Sequence, residues 1–346
     1  MRTPDVFVKG LGVFLPETVS VEQAVAEGRY PAEDVELHEL AGAAVAGDTP
    51  APEMALWAAQ QAFKRCGHRP DEIDLLLYAD SWYQGPDGWQ PQYYLQRHLV
   101  GGDALAVEIR HGCNGMFSAL ELAASYLRAP SMRAALAVAT DNFGTPMIDR
   151  WRFGPGYIAG DAASAVLLTT EPGFAQLLSV CTASVPEAEE VHRSGEPLFP
   201  PGPTAGRRLD FSGRTADFNR RSMAEGVGSR VWMTVHQKMV EAVNRCLDES
   251  GIGTADVTRA AFMNYSREIV EQRGMLALGL PMSKSTWEFG RTVGHLGASD
   301  QIVSLDHLLA AGELGPGDHM LLVGVGPGIT ISCAVVKILE PPPWTA

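Results

Sequence analysis

A cysteine flanked by glycines is the residue of this sequence best suited to chemistry. It lies in the run His111-Gly112-Cys113-Asn114-Gly115, where an apolar strand pattern ends and an Ala/Leu-rich helix pattern begins. The positive end of a helix dipole and its free backbone N–H groups stabilise a thiolate and bind an oxyanion. The glycines permit a sharp turn. Cys113 is therefore a candidate nucleophile, and a buried structural cysteine is the alternative.

The elements that must position this cysteine alternate between strands and helices. Strand patterns occur at residues 73–80, 104–112, 134–141 and 257–266, and as two strands around a Gly-Pro-Gly turn at 319–339. Helix patterns occur at residues 51–66, 116–129, 219–250 and 299–314. This alternation predicts an α/β fold whose sheets are covered by helices.

The two halves of the chain have a similar pattern. Each half ends in an apolar strand segment, at residues 160–171 and at the end of the chain. We therefore predict a duplication, with an N-terminal half over 1–172 and a C-terminal half over 173–346. Residues 184–218 are rich in proline, glycine and charge and predict a long excursion between the halves, which in compact domains is usually functional.

Composition excludes several classes of protein. The chain has 346 residues and a net charge of −14, from 27 basic and 41 acidic residues, which argues against general nucleic-acid binding. A hydrophobic content of 46% excludes disorder. The sequence predicts no targeting segment and no membrane span. Five scattered cysteines without a C-x-x-C pair predict no metal site and a reducing, cytoplasmic location. No dinucleotide motif is found, so no cofactor is expected.

Four ordered motifs resemble those of a known family, the thiolase-fold ketosynthases, and most closely ketoacyl-ACP synthase III. The segments are GCNG (112–115), GDAASA (160–165), GHLGAS (294–299) and GVGPGIT (324–330). They resemble the family's nucleophile, its GD-x-A-x-A turn, its G-N-x-x-A-(A/S) motif and its C-terminal glycine-rich loop. The resemblance covers almost the whole chain. It implies a duplicated, five-layered αβαβα thiolase fold, a homodimer, and an acyl-ACP or acyl-CoA donor.

Departures from the family pattern fall on the catalytic residues. A condensing synthase III is expected to use Cys, His and Asn, the last two stabilising the enolate that forms when malonyl-ACP loses carbon dioxide. The family's histidine position falls on Met263 or Asn264, according to register, and its asparagine position is His295. The enolate-stabilising pair is therefore absent in its usual form, and Asn264 is a candidate secondary residue.

A different catalytic triad is available. Cys113 would be the nucleophile, His295 the base, and Asp300 the acid that fixes the histidine tautomer. This arrangement suits acyl transfer, because His295 can take a proton from a hydroxyl or amine that attacks acyl-Cys113. The alternatives are that Asp300 caps a helix beginning at Gln301, or that His111 is the base.

The triad narrows the resemblance to one subgroup. Certain synthase III-like proteins of antibiotic pathways carry a Cys-His-Asp arrangement, and they either transfer acyl groups onto sugars, aminocyclitols and similar cores or select polyketide starter units. The chain resembles that subgroup.

The oxyanion hole also departs from the family pattern. Family members place consecutive glycines in the C-terminal loop, where a glycine N–H joins the cysteine N–H as a donor. Here Pro327, which has no N–H, interrupts the run. The expected donors are the N–H groups of Cys113 and Gly328.

Two further groups of residues are candidates for binding. Arginines suit the phosphates or carboxylates of an acidic donor, with a solvated charged loop as the alternative. The candidates are Arg207, Arg208, Arg214, Arg220 and Arg221, with Arg152 in another loop. The aromatic segment 81–94 would form either a pocket for a cyclic or short acyl group or interface packing.

Three functional hypotheses follow. The first is an acyltransferase that uses Cys113, His295 and Asp300 to make an ester or amide of a natural-product acceptor. The second is a condensing enzyme that selects a polyketide starter unit, with Asn264 and His295 in unorthodox roles. The third is a catalytically silent partner subunit, which the intact Cys113 argues against.

Overall fold

Strands and helices alternate along the chain in this computed structural model, which describes residues 1–200 and 206–344. The strands are β1 (Phe7–Phe14), β2 (Thr18–Ser20), β3 (Gly42–Ala44), β4 (Leu75–Asp80), β5 (Leu105–Arg110), β6 (Ala134–Asp141), β7 (Ala162–Thr169), β8 (Ala175–Ser184), β9 (Val257–Ala261), β10 (His319–Gly326) and β11 (Thr330–Ile338). The α-helices are α1 (Val21–Ala26), α2 (Glu33–His38), α3 (Ala51–Cys66), α4 (Gln92–Leu95), α5 (Gly115–Tyr126), α6 (Phe211–Ala224), α7 (Gly228–Ser250), α8 (Trp287–Val293) and α9 (Asp300–Ala310).

The main sheet repeats one pattern of strand pairing. Its order over the described residues is β5-β4-β6-β7-β1-β8-β11-β10-β9. In the first half β1 is antiparallel to β7, β7 is antiparallel to β6, and β6 is parallel to β4. In the second half β8 is antiparallel to β11, β11 is antiparallel to β10, and β10 is parallel to β9. The same connectivity thus occurs twice, and the division at residue 172 stays a prediction.

Three apolar cores separate the layers. Helix α3 buries Met54 and Ala58 against the first-half strands, which contribute Leu76 and Val138. The first-half strands (β5, β4, β6, β7, β1) and the second-half strands (β8, β11, β10, β9) are called the two half-sheets. Helices α5 and α9 lie between them, where Phe117 and Ile302 share a core with residues of both. Helix α7 buries Val243 against β10 and β11 of the second half. The order helix, sheet, helix, sheet, helix gives five layers.

The central helical layer positions the candidate site. Helix α5 begins just beyond the carboxyl end of β5, and α9 begins just after the loop that contains His295. The two starts are close together, because a Cβ placed on Gly115 would lie 3.5 Å from the Cβ of Ala298. The layer therefore brings the predicted nucleophile and the predicted base to one place.

Two predicted elements differ from the structure in extent. The prediction of one continuous helix over 219–250 is wrong, because the chain forms two helices, α6 and α7. They are separated at Gly226, whose φ of 72° lies in the left-handed region. Helix α6 starts at Phe211, where the Asp210 side chain accepts the Gly213 N–H at 2.7 Å, so the predicted excursion is partly helical. Residues 201–205 of that excursion lie outside the described residues.

The second difference is in the strand predicted over 257–266. This strand ends at Ala261, and the residues after it leave the sheet and reach the site. Over the described parts of the chain, no helix is long and apolar enough to cross a bilayer.

Candidate active site

The turn between β5 and α5 presents Cys113 at the start of a helix. A single helical turn, Gly112–Asn114, precedes Gly115, the first residue of α5. Gly112 has a φ of 55°, and a Cβ placed on it would lie 2.4 Å from Cδ of Pro327. Only glycine meets both conditions. The Cys113 thiol is free and partly exposed, as a nucleophile requires.

Cys113, His295 and Asp300, the three residues of the predicted triad, form a continuous line of contacts. The Cys113 Sγ lies 2.9 Å from His295 Nε2, and His295 Nδ1 lies 2.5 Å from Asp300 Oδ2. His295 is 2% exposed and Asp300 is fully buried. A carboxylate that accepts from Nδ1 directs Nε2 toward the sulfur. The structure thus brings nucleophile, base and acid together.

Asp300 is held by the main chain around it rather than by the helix it begins. Its Oδ1 accepts the Leu296 N–H at 2.7 Å, and its Oδ2 also accepts the Asn264 N–H at 3.1 Å. Within the described residues, no side chain caps α9. The capping interpretation is therefore wrong, and both carboxylate oxygens serve the loop that carries His295.

The environment of His295 favours its protonated form. Burial lowers the pKa of His295, whereas the charges of Asp300 and Cys113 and their hydrogen bonds raise it. The attractions prevail, and the pKa of His295 lies well above its ordinary value. The proton on Nε2 then faces the Cys113 sulfur.

The rival base His111 points elsewhere. Its Nδ1 lies 2.5 Å from the Ser118 hydroxyl, one helical turn into α5. Burial lowers the pKa of His111. The interpretation of His111 as the base for Cys113 is therefore not supported, because its Nδ1 is engaged by Ser118.

Two tyrosines that sequence reasoning missed pack against the imidazole. The ring centroids of Tyr157 and Tyr265 lie 5.2 and 5.1 Å from that of His295, and both rings meet the imidazole almost at right angles. Tyr157 precedes the GDAASA turn and Tyr265 follows β9, so no sequence motif joins them. The one sequence signal that could have identified them is that each lies close in sequence to a recognisable motif.

A buried ion pair fixes the loops beside the site. Arg150 donates from two nitrogens to the two carboxylate oxygens of Asp161, both at 2.9 Å. Asp161 also accepts the backbone N–H groups of Ala46 and Phe143, each at 2.8 Å. Because these partners come from three separate segments, Asp161 ties those segments together.

The predicted arginines divide into two groups. Arg152 and Arg208 both approach Asp149, at 3.6 and 3.3 Å, and line a cavity of about 360 Å³ with Arg29. Arg207 is exposed in the same segment.

The other predicted arginines pair with acids of their own region. Arg220 pairs with Asp217, Arg221 with Glu190 at 3.0 Å, and Arg214 with Glu196 at 3.7 Å. Of the predicted arginines, Arg152 and Arg208 face a cavity, and donor binding by the whole set stays a prediction.

The aromatic segment 81–94 is divided between interior and surface. Trp82 packs with Phe143 and Phe153 in the cluster that also contains Tyr157, and its Nε1 donates to the Thr145 hydroxyl at 2.8 Å. Tyr83 and Tyr93 are more than half exposed, at 57% and 54%. Trp82 thus adjoins the site, and the other two are available for interface packing.

Comparisons with known proteins agree with this geometry. Residues 107–185 match 3-oxoacyl-[acyl-carrier-protein (ACP)] synthase III, and residues 247–338 match the C-terminal part of that family. The solved structure of a protein named ChlB3, described as an acyltransferase, is 67% identical, covers 99% of this chain and 100% of that one, and has a TM-score of 0.94. This chain belongs to the ketoacyl-ACP synthase III-like family.

More distant members of the synthase III-like family share the fold. The beta-ketoacyl-[acyl-carrier-protein] synthase III 3 of Streptomyces coelicolor is 27% identical over 82% of each chain. The structure of FabH from Pseudomonas aeruginosa is 23% identical, covers 97% of this chain and 99% of that one, and has a TM-score of 0.77. The predicted thiolase fold is confirmed.

In this synthase III-like protein, the residues at the family's histidine position hold neighbouring loops in place. Asn264 is buried, and its side-chain amide donates to the Gly294 carbonyl at 2.9 Å. The Met263 sulfur accepts the Val325 N–H at 3.2 Å. The Asn264 amide thus holds the loop before His295, and the Asn264 N–H holds Asp300.

The glycine-rich loop that characterises the synthase III-like family lies beside the nucleophile. Pro327 packs against Gly112, and Asn114 donates to the Thr330 carbonyl at 2.9 Å. Gly328 has a φ of 73° in the turn between β10 and β11. The loop is therefore fastened to the Cys113 turn, and donation by the Gly328 N–H stays a prediction.

Proposed function

We propose that this enzyme moves an acyl group from acyl-ACP or acyl-CoA, through a thioester on Cys113, to a hydroxyl or amine of a natural-product acceptor. The observation that carries the proposal is the line of contacts from Cys113 Sγ through the His295 ring to Asp300. A nucleophile, a base and an acid that orients the base are the groups acyl transfer needs.

The first half-reaction loads Cys113. The Cys113 thiolate attacks the carbonyl carbon of the donor thioester, and the N–H groups of Cys113 and Gly328 receive the developing oxyanion. The carbon–sulfur bond of the donor breaks as its thiolate takes the proton from His295 Nε2. The products are an acyl thioester on Cys113, a free pantetheine thiol and neutral His295.

The second half-reaction uses the change in charge that acylation produces. The Cys113 charge is one of the causes that raise the pKa of His295, and acylation removes it. The pKa of His295 therefore falls when the acyl group is attached, and Nε2 accepts the proton of the acceptor hydroxyl or amine. The acceptor bonds to the acyl carbon, the bond to Cys113 breaks, and the thiolate–imidazolium pair returns.

Contacts around His295 support transfer over decarboxylative condensation. Condensation in this family is expected to use two side-chain donors for the enolate. Here the Asn264 amide donates one of its two hydrogens to Gly294, and Met263 has no side-chain hydrogen to donate. His295 is left with Asp300 on one nitrogen, which suits a base. Selection of a polyketide starter unit by condensation is thus the less favoured function.

Donor binding and assembly complete the proposal. The cavity lined by Arg29, Arg152 and Arg208 offers guanidinium groups to the phosphates of an acyl-ACP or acyl-CoA. Strand β5 lies at an edge of the sheet with Leu105 52% exposed, which supports a homodimer formed through this edge. The reaction needs no metal or redox cofactor for balance, and the free cysteines fit a cytoplasmic location.

The proposal is tested by intact-protein mass spectrometry. The enzyme is mixed with a panel of acyl-CoA and acyl-ACP thioesters, with Cys113→Ala alongside. A single acyl increment on the wild type, absent from the variant, is expected. The loaded enzyme is then chased with hydroxyl and amine acceptors or with malonyl-ACP.

Each outcome has a defined meaning. Release of the acyl group to a hydroxyl or amine acceptor supports transfer, and release to malonyl-ACP with loss of carbon dioxide contradicts it in favour of condensation. A protein that gains no increment from any donor contradicts the covalent route and points to a silent partner subunit.

A further inference from the structure

Tyr157 and Tyr265 form a stacked pair beside the triad. Their ring centroids lie 4.6 Å apart and their planes differ by 9°. Tyr157 comes from the N-terminal half of the chain and Tyr265 from the C-terminal half. Both rings meet the imidazole of His295 edge to face, at 80° and 84°. The pair therefore contacts the proposed base from two unrelated segments at once.

The main chain fixes the two rings in place. The Ser266 N–H donates to the Gly156 carbonyl at 2.7 Å, which joins the two tyrosine loops directly. The Trp287 Nε1 donates to the Tyr265 carbonyl at 3.2 Å. A Cβ placed on Gly154 would lie 2.2 Å from Tyr157 Cε1, so this glycine leaves the space that the ring fills. The stacked geometry is thus built by the backbone on both sides.

The charge of Cys113 also acts on the two tyrosine side chains. Burial raises the pKa of Tyr157, and the Cys113 charge raises it further. Burial raises the pKa of Tyr265 as well, with added effects from Tyr157, Cys113 and Asp300. Both side chains are half-buried, so part of each ring stays exposed beside the triad.

Water is the natural competitor of an acyl acceptor at this site. In hydrolysis a water proton would go to His295 Nε2, the water oxygen would bond to the acyl carbon, and the bond to Cys113 would break. The products would be a carboxylic acid and the Cys113 thiolate. Because the same base serves both reactions, only control of water access separates transfer from hydrolysis.

We propose that Tyr157 and Tyr265 cover the imidazole of His295 and shield the Cys113 thioester from water. The proposal rests on the thioester of the proposed function, though not on the identity of donor or acceptor. The aromatic rings carry the role, and the hydroxyls do not, because the contacts with His295 are ring contacts.

The test measures how long an acyl group survives on Cys113 without an acceptor. The enzyme is loaded with p-nitrophenyl acetate, which transfers acetyl to a reactive thiolate and releases p-nitrophenolate. Loss of the acetyl increment is followed by intact mass, with Cys113→Ala defining unspecific labelling. The variants are Tyr157→Phe and Tyr265→Phe, which keep the ring, and Tyr157→Leu and Tyr265→Leu, which remove it.

The two phenylalanine variants should keep the half-life of the acetyl group within about twofold, and the two leucine variants should shorten it at least tenfold. Adding His295→Ala to a leucine variant should restore the long half-life, because water needs the base. Phe289→Leu is the matched control, since Phe289 stacks on His307, a histidine outside the triad, at 3.9 Å.

Three results would overturn the proposal. They are an unchanged half-life in the leucine variants, an equal shortening in the phenylalanine variants, and fast hydrolysis that persists without His295. If a leucine variant loses its cooperative thermal transition, Tyr→Met at the same position replaces it. Failure of the proposed function would show separately, as no acyl increment from acyl-CoA or acyl-ACP despite loading by p-nitrophenyl acetate.

Discussion

Pro327 lies directly against Gly112, so close that a Cβ on Gly112 would come within 2.4 Å of Pro327 Cδ. The residue that interrupts the glycine-rich loop is thus also the residue that fastens this loop to the turn carrying Cys113. Asn114 reinforces the contact by donating to the carbonyl and the hydroxyl of Thr330, at 2.9 and 3.0 Å. The glycine-rich loop and the turn that carries Cys113 are therefore packed and hydrogen-bonded together.

Gly112→Ala should disable loading of Cys113. The substitution adds a left-handed backbone cost of roughly 1–2 kcal/mol and a clash with the Pro327 ring. Gly251→Ala is the matched control, because Gly251 has a φ of 72° and a Cβ placed on it would have no neighbour within 4 Å among the described residues. Both variants should lose thermal stability, and only Gly112→Ala should lose the acyl increment. Loading of Gly112→Ala at the wild-type rate would contradict the coupling.

Asp300→Asn should slow turnover by at least about 100-fold and shift its pH profile. The Asp300 charge raises the pKa of His295, so its loss moves that pKa downward and the imidazolium is lost at a lower pH. The descending limb of Cys113 acylation should therefore move to lower pH. Asp306→Asn, which changes an acid of the same helix paired with Arg65 at 2.6 Å, is the control. A descending limb at the same pH in the variant would show that Asp300 does not raise the pKa of His295.

Reversing Arg152 and Arg208 to Glu should raise the apparent KM for acyl-ACP about tenfold with little change in kcat, and the effect should shrink at high salt. The sequence alone would have selected Arg220 and Arg221 for this test. Because Arg220 and Arg221 do not line this cavity and pair with acids of their own region, their reversal should change KM less. Equal effects of the two double variants would refute the assignment of the cavity as the donor site.

Asp80→Asn should reduce the loss of stability at alkaline pH. Burial raises the pKa of Asp80 to about 8, with further increases from Asp141 and Glu108 and a decrease from Arg110. A carboxyl whose folded pKa exceeds its unfolded value stabilises the fold while protonated, and this contribution is lost as pH rises toward 8. The Tm of the wild type should fall more between pH 6 and 9 than that of the variant. Asp71→Asn, at an exposed acid, should follow the wild type.

Sequence motifs were sufficient to find the three residues that the structure brings together. Cys113 was recognisable because a strand pattern stops and a helix pattern starts within five residues, which places a thiol at a helix N-terminus in any α/β fold. His295 and Asp300 were recognisable because they stand in a motif. Helix α3 and strand β6 were predicted at the bounds they adopt, since their apolar patterns are long and uninterrupted.

Where local patterns were interrupted, the prediction was wrong. A single helix was expected over 219–250, because glycine is tolerated within a helical pattern, yet Gly226 takes a left-handed φ and divides it. The closeness of the arginines of 207–221 in sequence did not show which acids each would meet. Glu190 is 31 residues from Arg221, and only folding brings them together.

The sequence by itself determined the types of groups at this site, the helix start that carries Cys113, and the alternation that predicts a duplicated α/β fold. Tertiary structure alone decided the distances on which the chemistry depends. Cys113 and His295 are 182 residues apart, and they meet at 2.9 Å because α5 and α9 share the central layer between two half-sheets. The Tyr157–Tyr265 pair likewise arises only from that packing, because no local pattern encodes a contact between two loops from opposite halves of the chain.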